Sequence, residues 1–185
     1  LVEEENQVLM LRNSTFLKFG FLLSFALLFA CSQKTEMMDN ERSMWETYGD
    51  ADWNLEDGVF SASVSDTVGF VMTKERFKNF ELELEFWPDS TINSGIFVRC
   101  LNRELSFVDC YEINIWDAHP NQDFRTGSIV NRANPLNYVE TIGKWNTYRI
   151  KVKDNRVEAW VNSIKTADLE NMDLKEGFIA LQAMG

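Results

Sequence analysis

The sequence is poor in cysteine, histidine and proline, and it has fewer basic than acidic residues. Its 185 residues include three Cys, one His and three Pro, with 18 Lys and Arg against 29 Asp and Glu. The net charge of −11 argues against nucleic acid as a partner. A single His gives no recognisable zinc pattern, and without a G-x-S-x-G context it disfavours serine hydrolase chemistry. No window has a sustained helical period, which argues against an α-helical domain.

The N-terminal region has the pattern of a bacterial lipoprotein leader. Basic residues precede an apolar run at residues 19–30, which is too short for a permanent transmembrane helix. The run ends at Leu28-Phe29-Ala30-Cys31, which resembles a lipobox, so Cys31 is the expected lipidation site. We therefore predict a signal peptide at residues 10–30 and a polar tether at residues 31–44, with residues 1–9 as an upstream artefact of the assigned start.

These features predict a protein of the bacterial cell envelope, on the periplasmic or surface side, whose only membrane contact is its lipid anchor. The remaining residues 45–185 have the size of one domain. Because the chain stops directly after a candidate strand, we expect that a closing strand is missing. Cys100 and Cys110 would lie in an oxidising compartment at the facing ends of two adjacent strands, so they are either a disulfide or a pair of buried thiols.

Short strands separated by turn signals fill the rest of the sequence. Apolar and polar residues alternate at residues 80–86, 111–116 and 148–153, and period two indicates strands with one buried face. Asp154-Asn155 and Asn162-Ser163 are turn pairs that predict hairpins. Nine or ten such strands, rich in aromatic residues, predict an all-β fold of two packed antiparallel sheets.

Several of these segments also occur, in the same order, in a known family. They are W-N-L-E-D-G-V (53–59), N-F-E-L-E-L-E-F (79–86), N-S-G-I-F-V-R (93–99), Y-E-I (111–113), W-N-T-Y (145–148), V-N-S (161–163) and G-F-I-A-L-Q (177–182). The pattern resembles the 3-keto-disaccharide hydrolase domain, with Ser163 at a position where that family usually has glycine. The resemblance implies a concanavalin A-like jelly-roll sandwich that acts on 3-keto-glycosides, which a separate oxidoreductase must supply.

The chemistry implied by this resemblance requires a general base. A ketone at C3 of a sugar acidifies the hydrogen at C2, so the glycosidic bond at C1 can break by elimination through an enolate, followed by addition of water. The candidate catalytic residues are Glu112, Asp117 and His119. The candidate substrate-binding residues are Glu85, Arg99, Asn114 and Trp116.

Alternative interpretations of these residues stay open. Glu85 belongs to a run of alternating glutamates that is typical of a solvated strand face, and Arg99 could serve only in a salt bridge. If Glu85 and Arg99 lie on adjoining strands, they form a polar cluster beside Trp116 that suits a sugar. His119 is a lone loop histidine with no required role, and a calcium ion held by loop oxygens is compatible with the sequence.

Two functions from different classes are consistent with the sequence. The first is a hydrolase, or a lyase and hydratase, that cleaves the glycosidic bond of 3-keto-disaccharides by abstracting the proton at C2. The second is a carbohydrate-binding module without catalytic activity, in which Trp116 would matter more than any carboxylate.

Overall fold

The structure is a computed structural model that describes residues 7–13, 44–64, 68–170 and 173–184. These residues form twelve strands and one short 3-10 helix at Gln122–Phe124, and they contain no α-helix. The strands are β1 (Gln7–Asn13), β2 (Trp45–Gly49), β3 (Asp52–Glu56), β4 (Val59–Val64), β5 (Val68–Thr73), β6 (Phe80–Pro88), β7 (Asn93–Cys100), β8 (Tyr111–Ile115), β9 (Asn146–Lys153), β10 (Arg156–Val161), β11 (Ile164–Glu170) and β12 (Phe178–Met184).

The strands form two antiparallel sheets that pack face to face. The seven-stranded sheet has the order β11-β10-β9-β6-β1-β4-β3, and the five-stranded sheet has the order β2-β5-β12-β7-β8. Each sheet contributes one face to a shared hydrophobic core. The predicted all-β fold of two antiparallel sheets is therefore confirmed.

Alternation along the strands determines which side chains enter the core. On β6, Leu82, Leu84 and Phe86 are buried, while the intervening glutamates lie on the outer face. The five-stranded sheet contributes Val71, Ile96, Val98, Ile113, Ile115, Ile179 and Leu181 to the same core. Because neighbouring residues of a strand point to opposite sides, the residues between these positions lie on the outer face of the five-stranded sheet.

The predicted turn pairs join consecutive strands of the seven-stranded sheet. Asp154-Asn155 connects β9 to β10, and Asn162-Ser163 connects β10 to β11. Asn162 has φ 48° and Ser163 has φ 67°, the left-handed conformation that two-residue hairpin turns of type I′ require. The side chain of Asn162 also accepts a hydrogen bond of 2.9 Å from the backbone N–H of Thr147, which connects the β10–β11 turn to β9.

Strand β1 lies between β4 and β6, and its Leu11 is buried in the core. Residues 14–43, which include Cys31, the tether and most of the predicted signal peptide, lie outside the described residues. The signal peptide stays a prediction. Cleavage before Cys31 would separate β1 from the rest of the chain, and the seven-stranded sheet would then lose the covalent link to this strand. No helix among the described residues is long and apolar enough to cross a membrane.

A second, smaller hydrophobic cluster lies on the outer face of the five-stranded sheet. Met72, Phe97 and Ala180 are buried there together with Cys100 and Cys110, which the structure joins in a disulfide. The disulfide closes the loop between β7 and β8 so that Leu105, within the loop, packs on this cluster.

Reduction of this disulfide is expected to lower the free energy of unfolding by about 3 kcal/mol, since cross-linking a loop of roughly eleven residues restricts the unfolded chain. Urea unfolding of the oxidised and the reduced protein would measure the difference. A Cys100→Ala/Cys110→Ala variant is the control, since its free energy of unfolding should not depend on reductant. Three free thiols instead of one in the unfolded, unreduced and unlipidated chain would contradict the pairing.

Candidate functional site

A row of side chains crosses all five strands on the outer face of the five-stranded sheet. Asn114 on β8 pairs with Gly95 on β7, and Gly95 pairs with Gln182 on β12. Gln182 pairs with Phe70 on β5, which pairs with Tyr48 on β2. We call these five residues the outer row. The neighbouring row includes Glu112 and Phe97. Each of its residues is two positions away, on the same strand, from a residue of the outer row.

Residues 126–130 extend this face beyond the edge strand β8. The backbone N–H of Asn114 donates to the carbonyl of Ser128, and that of Val130 donates to the carbonyl of Glu112. Ile129 forms a bridge with Ile113 and is buried in the core beside it. Because side chains alternate, Ser128 lies on the outer face next to Asn114.

Glu112 is a half-buried carboxyl group without a compensating charge among the described residues. It lies on the outer face of β8, and no described residue forms a hydrogen bond or an ion pair with its side chain. Burial raises the pKa of Glu112 from 4.5 to about 7 because the charged form is poorly solvated there. Near neutral pH the group can therefore both accept and donate a proton.

Gly95 brings the backbone of β7 close to this carboxyl group. A Cβ atom at position 95 would lie 3.3 Å from the ring of Phe97 and 3.5 Å from Oε1 of Glu112. A side chain at position 95 would therefore press on Phe97 and Glu112, and glycine lets both approach the backbone of β7. Adjacent strands are about 4.8 Å apart, so Glu112 on β8 and Gln182 on β12 are separated by about 10 Å.

Two buried oxygen atoms of this face lack hydrogen bonds. Oγ of Ser128 and Oε1 of Gln182 are buried and have no partner among the described residues. Buried polar atoms are nearly always paired with protein, water or ligand. Together with Glu112 they give three polar groups on this face without a partner among the described residues, as expected for a surface that binds a polar molecule.

Aromatic side chains form the other end of the outer row. The rings of Tyr48 and Phe70 stack with centroids 5.0 Å apart and planes 12° apart. Both side chains are partly exposed. The hydroxyl of Tyr48 donates to Glu46 over 2.8 Å, and Glu46 also forms a 3.5 Å ion pair with Arg103.

Besides Glu112, three of the residues proposed from sequence lie near this face. Asn114 belongs to the outer row, but its amide donates to the carbonyl of Phe124 and it is only 2% exposed. Trp116 follows β8 directly, and its ring lies 4.4 Å from that of His119. Nδ1 of His119 accepts a hydrogen bond of 3.0 Å from the backbone N–H of Asn121, so this nitrogen is occupied.

Asp117 stabilises a loop. Its carboxylate accepts hydrogen bonds from the backbone N–H and the hydroxyl of Thr141, at 2.6 and 3.0 Å. Arg125 lies 3.9 Å away, and the Asp117 side chain is only 2% exposed. This carboxylate therefore attaches residues near Thr141 to the end of β8, and its oxygens are turned away from solvent.

The hypothesis that Glu85 and Arg99 form one cluster is wrong, because β6 and β7 belong to different sheets. Glu85 lies on the outer face of the seven-stranded sheet and binds Arg12. Arg99 is 1% exposed and donates to the carbonyl oxygens of Lys78, Leu174 and Asp154. Neither residue is part of the outer row.

Sequence reasoning missed Ser128, Gly95, Gln182, Phe70 and Tyr48. The alternation in residues 177–182 does place Gln182 opposite to Ile179 and Leu181, so its face could have been inferred. The order of the strands in the sheet, which brings these five residues together, has no local signal in the sequence.

The described residues contain no metal-binding cluster beside Glu112. No group of three or more His, Cys, Asp or Glu side chains suitable for a metal ion occurs in them. A cavity of about 440 Å³ lies elsewhere, between the β9–β10 turn and residues 174–175. Its walls include Lys78, Asp154 and Lys175, and none of the residues proposed from sequence.

Comparison with solved structures identifies the type of sandwich. A proposed glycosyl hydrolase of Parabacteroides distasonis aligns at 25% identity with a TM-score of 0.56, covering 65% of this chain and 80% of its own. A second one from the same organism has 17% identity and a TM-score of 0.64 over 82% and 87%. A carbohydrate-binding module of Bacillus subtilis has 15% identity and a TM-score of 0.55 over 76% and 88%. The fold is thus a jelly-roll sandwich of the concanavalin A-like type, as predicted.

Comparison with families gives a more specific result. A search of curated proteins gave no significant match. The profile of the 3-keto-alpha-glucoside-1,2-lyase-like domain matches residues 34–185, which include every described strand except β1. This match supports a role in carbohydrate chemistry. The chain belongs to the 3-keto-alpha-glucoside-1,2-lyase-like domain family.

Proposed function

We propose that this protein cleaves the glycosidic bond of 3-keto-glycosides, with Glu112 as the general base that removes the proton at C2. The observation that carries the proposal is the carboxyl group of Glu112, which is half-buried, has no partner among the described residues and lies close to the backbone of β7 at Gly95. Family membership supports the substrate class.

The proposed reaction conserves atoms and charge in two steps. Glu112 accepts the C2 proton, the electron pair forms an enolate with the C3 ketone, and the C1–O bond then breaks. The leaving oxygen takes a proton, and Glu112 can return the one that it accepted because its pKa is close to neutrality. Addition of water across the resulting double bond completes hydrolysis, whereas release before this addition makes the enzyme a lyase.

Gln182 and Ser128, on the same face, supply hydrogen-bond acceptors for sugar hydroxyls. Oε1 of Gln182 and Oγ of Ser128 are buried and have no partner among the described residues. If either side chain turns towards a sugar, a hydroxyl that donates to it replaces a missing hydrogen bond. The hydroxyl of Ser128 can also donate, which suits a developing enolate oxygen. Asp117 and His119 have other partners and are not required by this scheme.

The cellular context is also part of the proposal. A lipid attached to Cys31 would hold the domain in the bacterial envelope, and an oxidoreductase that oxidises the C3 hydroxyl of glycosides would supply its substrate. The disulfide between Cys100 and Cys110 is compatible with an oxidising compartment.

The first test is incubation of the purified protein with a 3-keto-disaccharide and with the same disaccharide unoxidised, following release of the keto sugar. We expect cleavage of the keto sugar only, since the unoxidised C2 hydrogen is not acidic. A parallel reaction with EDTA reports whether a divalent metal is needed. Equal cleavage of both sugars would exclude the enolate route, and binding without cleavage would favour a carbohydrate-binding module.

A further inference from the structure

The cavity of about 440 Å³ beside the β9–β10 turn shares no wall residue with the face that carries Glu112. Its walls come from three separate segments of the chain, and the residues are Lys78, Asp154, Asn155, Leu174 and Lys175. A volume of this size lies within the range of small-molecule sites. Leu174 and the methylene stems of the two lysines give the cavity apolar walls, while the charged ends of the lysines can stay in contact with water.

The two lysines of this cavity have no partner among the described residues. Lys78 and Lys175 are exposed, and no described residue forms a hydrogen bond or an ion pair with either ammonium group. Lys165, by contrast, binds the carboxylates of Glu158 and Asp168 at 2.7 and 2.5 Å. The chain has 29 acidic and only 18 basic residues. Carboxylates are therefore in excess, yet the described ones leave these two cations of one cavity unpaired.

A third cation lies directly behind these walls. The buried guanidinium of Arg99 donates to the backbone carbonyls of Lys78, Asp154 and Leu174, which are three of the five wall residues. These hydrogen bonds use four of its five N–H groups, and no described carboxylate forms an ion pair with it. Burial lowers the pKa of the Arg99 guanidinium, because its charge is poorly solvated there. Since buried charges are normally paired, a negative group is missing beside Arg99.

Asp154 is the one acidic residue among the five described wall residues. Its Oδ1 accepts a hydrogen bond of 3.2 Å from Nδ2 of Asn79, and its charge does not offset the effect of burial on the pKa of Arg99. Together with Arg99, the walls carry three positive charges and one negative charge. A positive cavity on a chain with a net charge of −11 concentrates anions locally, so the electrostatics favour an anionic ligand.

We propose that this cavity binds a small organic anion, whose carboxylate or phosphate group is held by Lys78 and Lys175 and whose body packs against Leu174. The ammonium groups supply charge-assisted hydrogen bonds, and the buried charge of Arg99 adds attraction through the protein interior. A sugar acid or a sugar phosphate has the required charge and a size suited to the cavity. The site does not depend on the proposed reaction, because the cavity and Glu112 share no residue.

Calorimetric titration of the purified protein with glucuronate, glucose 6-phosphate and glucose tests the site. We expect an anion to bind at least about tenfold more tightly than uncharged glucose at the same ionic strength, since only an anion forms charge-assisted hydrogen bonds with the lysines. The tighter of the two anions identifies the preferred group as carboxylate or phosphate. The affinity for the anion should fall as NaCl is added, because both ammonium groups are exposed to screening.

A double variant locates the binding. Lys78→Gln/Lys175→Gln keeps two polar side chains but removes both charges, so the affinity for the anion is expected to fall at least about tenfold. The matched control is Lys74→Gln/Lys144→Gln, which removes the same charge from two exposed lysines that do not line the cavity. It should leave the affinity unchanged, and urea unfolding checks that both variants are folded. Equal affinity for glucose and the anions, no binding of either anion, or the same loss in both double variants would overturn the site.

Discussion

Replacing Glu112 by Gln is expected to lower kcat for a 3-keto-disaccharide by at least about a hundredfold, the usual contribution of a general base. Glutamine has nearly the same shape, so the packing around position 112 and the affinity for the sugar should be retained. The wild-type rate should rise with pH up to an apparent pKa of about 7, because the base acts in its ionised form. The variant should show no such rise.

The same substitution is expected to stabilise the protein at alkaline pH. Between pH 4.5 and about 7 the folded state binds the Glu112 proton more tightly than the unfolded state does, so stability falls as pH rises through this window. Above about pH 7, the ionised carboxylate of Glu112 is largely buried and has no partner among the described residues. Glu112→Gln removes that charge and should raise the free energy of unfolding at pH 8 by about 2 kcal/mol, with little change at pH 4.

Urea unfolding at both pH values and initial-rate measurements check the two effects in one variant. Glu83→Gln is the control, since Glu83 lies on the outer face of the other sheet, and it should change neither rate nor its pH dependence. If the rate of the Glu112→Gln variant still rises with an apparent pKa near 7, the titrating group, and therefore the general base, is another residue.

The sequence predicted the type of fold because alternation and turn residues are local signals. The three alternating segments at 80–86, 111–116 and 148–153 all lie within strands or directly at their ends, and both turn pairs close hairpins. Gly177 is the glycine of the G-F-I-A-L-Q motif, and the structure gives a physical reason for it. A Cβ atom there would lie 2.3 Å from the carbonyl oxygen of Cys100, so no side chain fits where β12 begins.

The site was predicted only in part because it depends on contacts between distant strands. Glu112 was found because it lies mid-strand between Tyr111 and Ile113 within the Y-E-I motif, and that pattern is local. Its neighbours across the sheet are set by the order β5-β12-β7-β8, which joins residues more than 100 positions apart. Asp117 resembles a catalytic acid in sequence, and only the structure places Thr141 on its oxygens.

Arg99 gives the largest expected effect on stability. Its guanidinium is buried and makes four hydrogen bonds to the carbonyls of Lys78, Leu174 and Asp154, which come from three separate segments. Arg99→Met would remove the donors and leave these carbonyls unpaired, so we expect the free energy of unfolding to fall by about 3–5 kcal/mol. The substitution Arg99→Lys, which keeps the charge but not the planar array of donors, should recover only part of this loss.

Urea unfolding of these variants separates the structural role of Arg99 from a role in sugar binding. Arg149→Met is the matched control, because Arg149 is 43% exposed and pairs with Glu81 at the surface, and its loss should cost no more than about 1 kcal/mol. If Arg99→Met is as stable as the wild type but binds the sugar more weakly, the substrate contact predicted from sequence is supported. Lower stability with unchanged affinity in the folded fraction would identify Arg99 as the residue that ties the end of β7 to the loops around it.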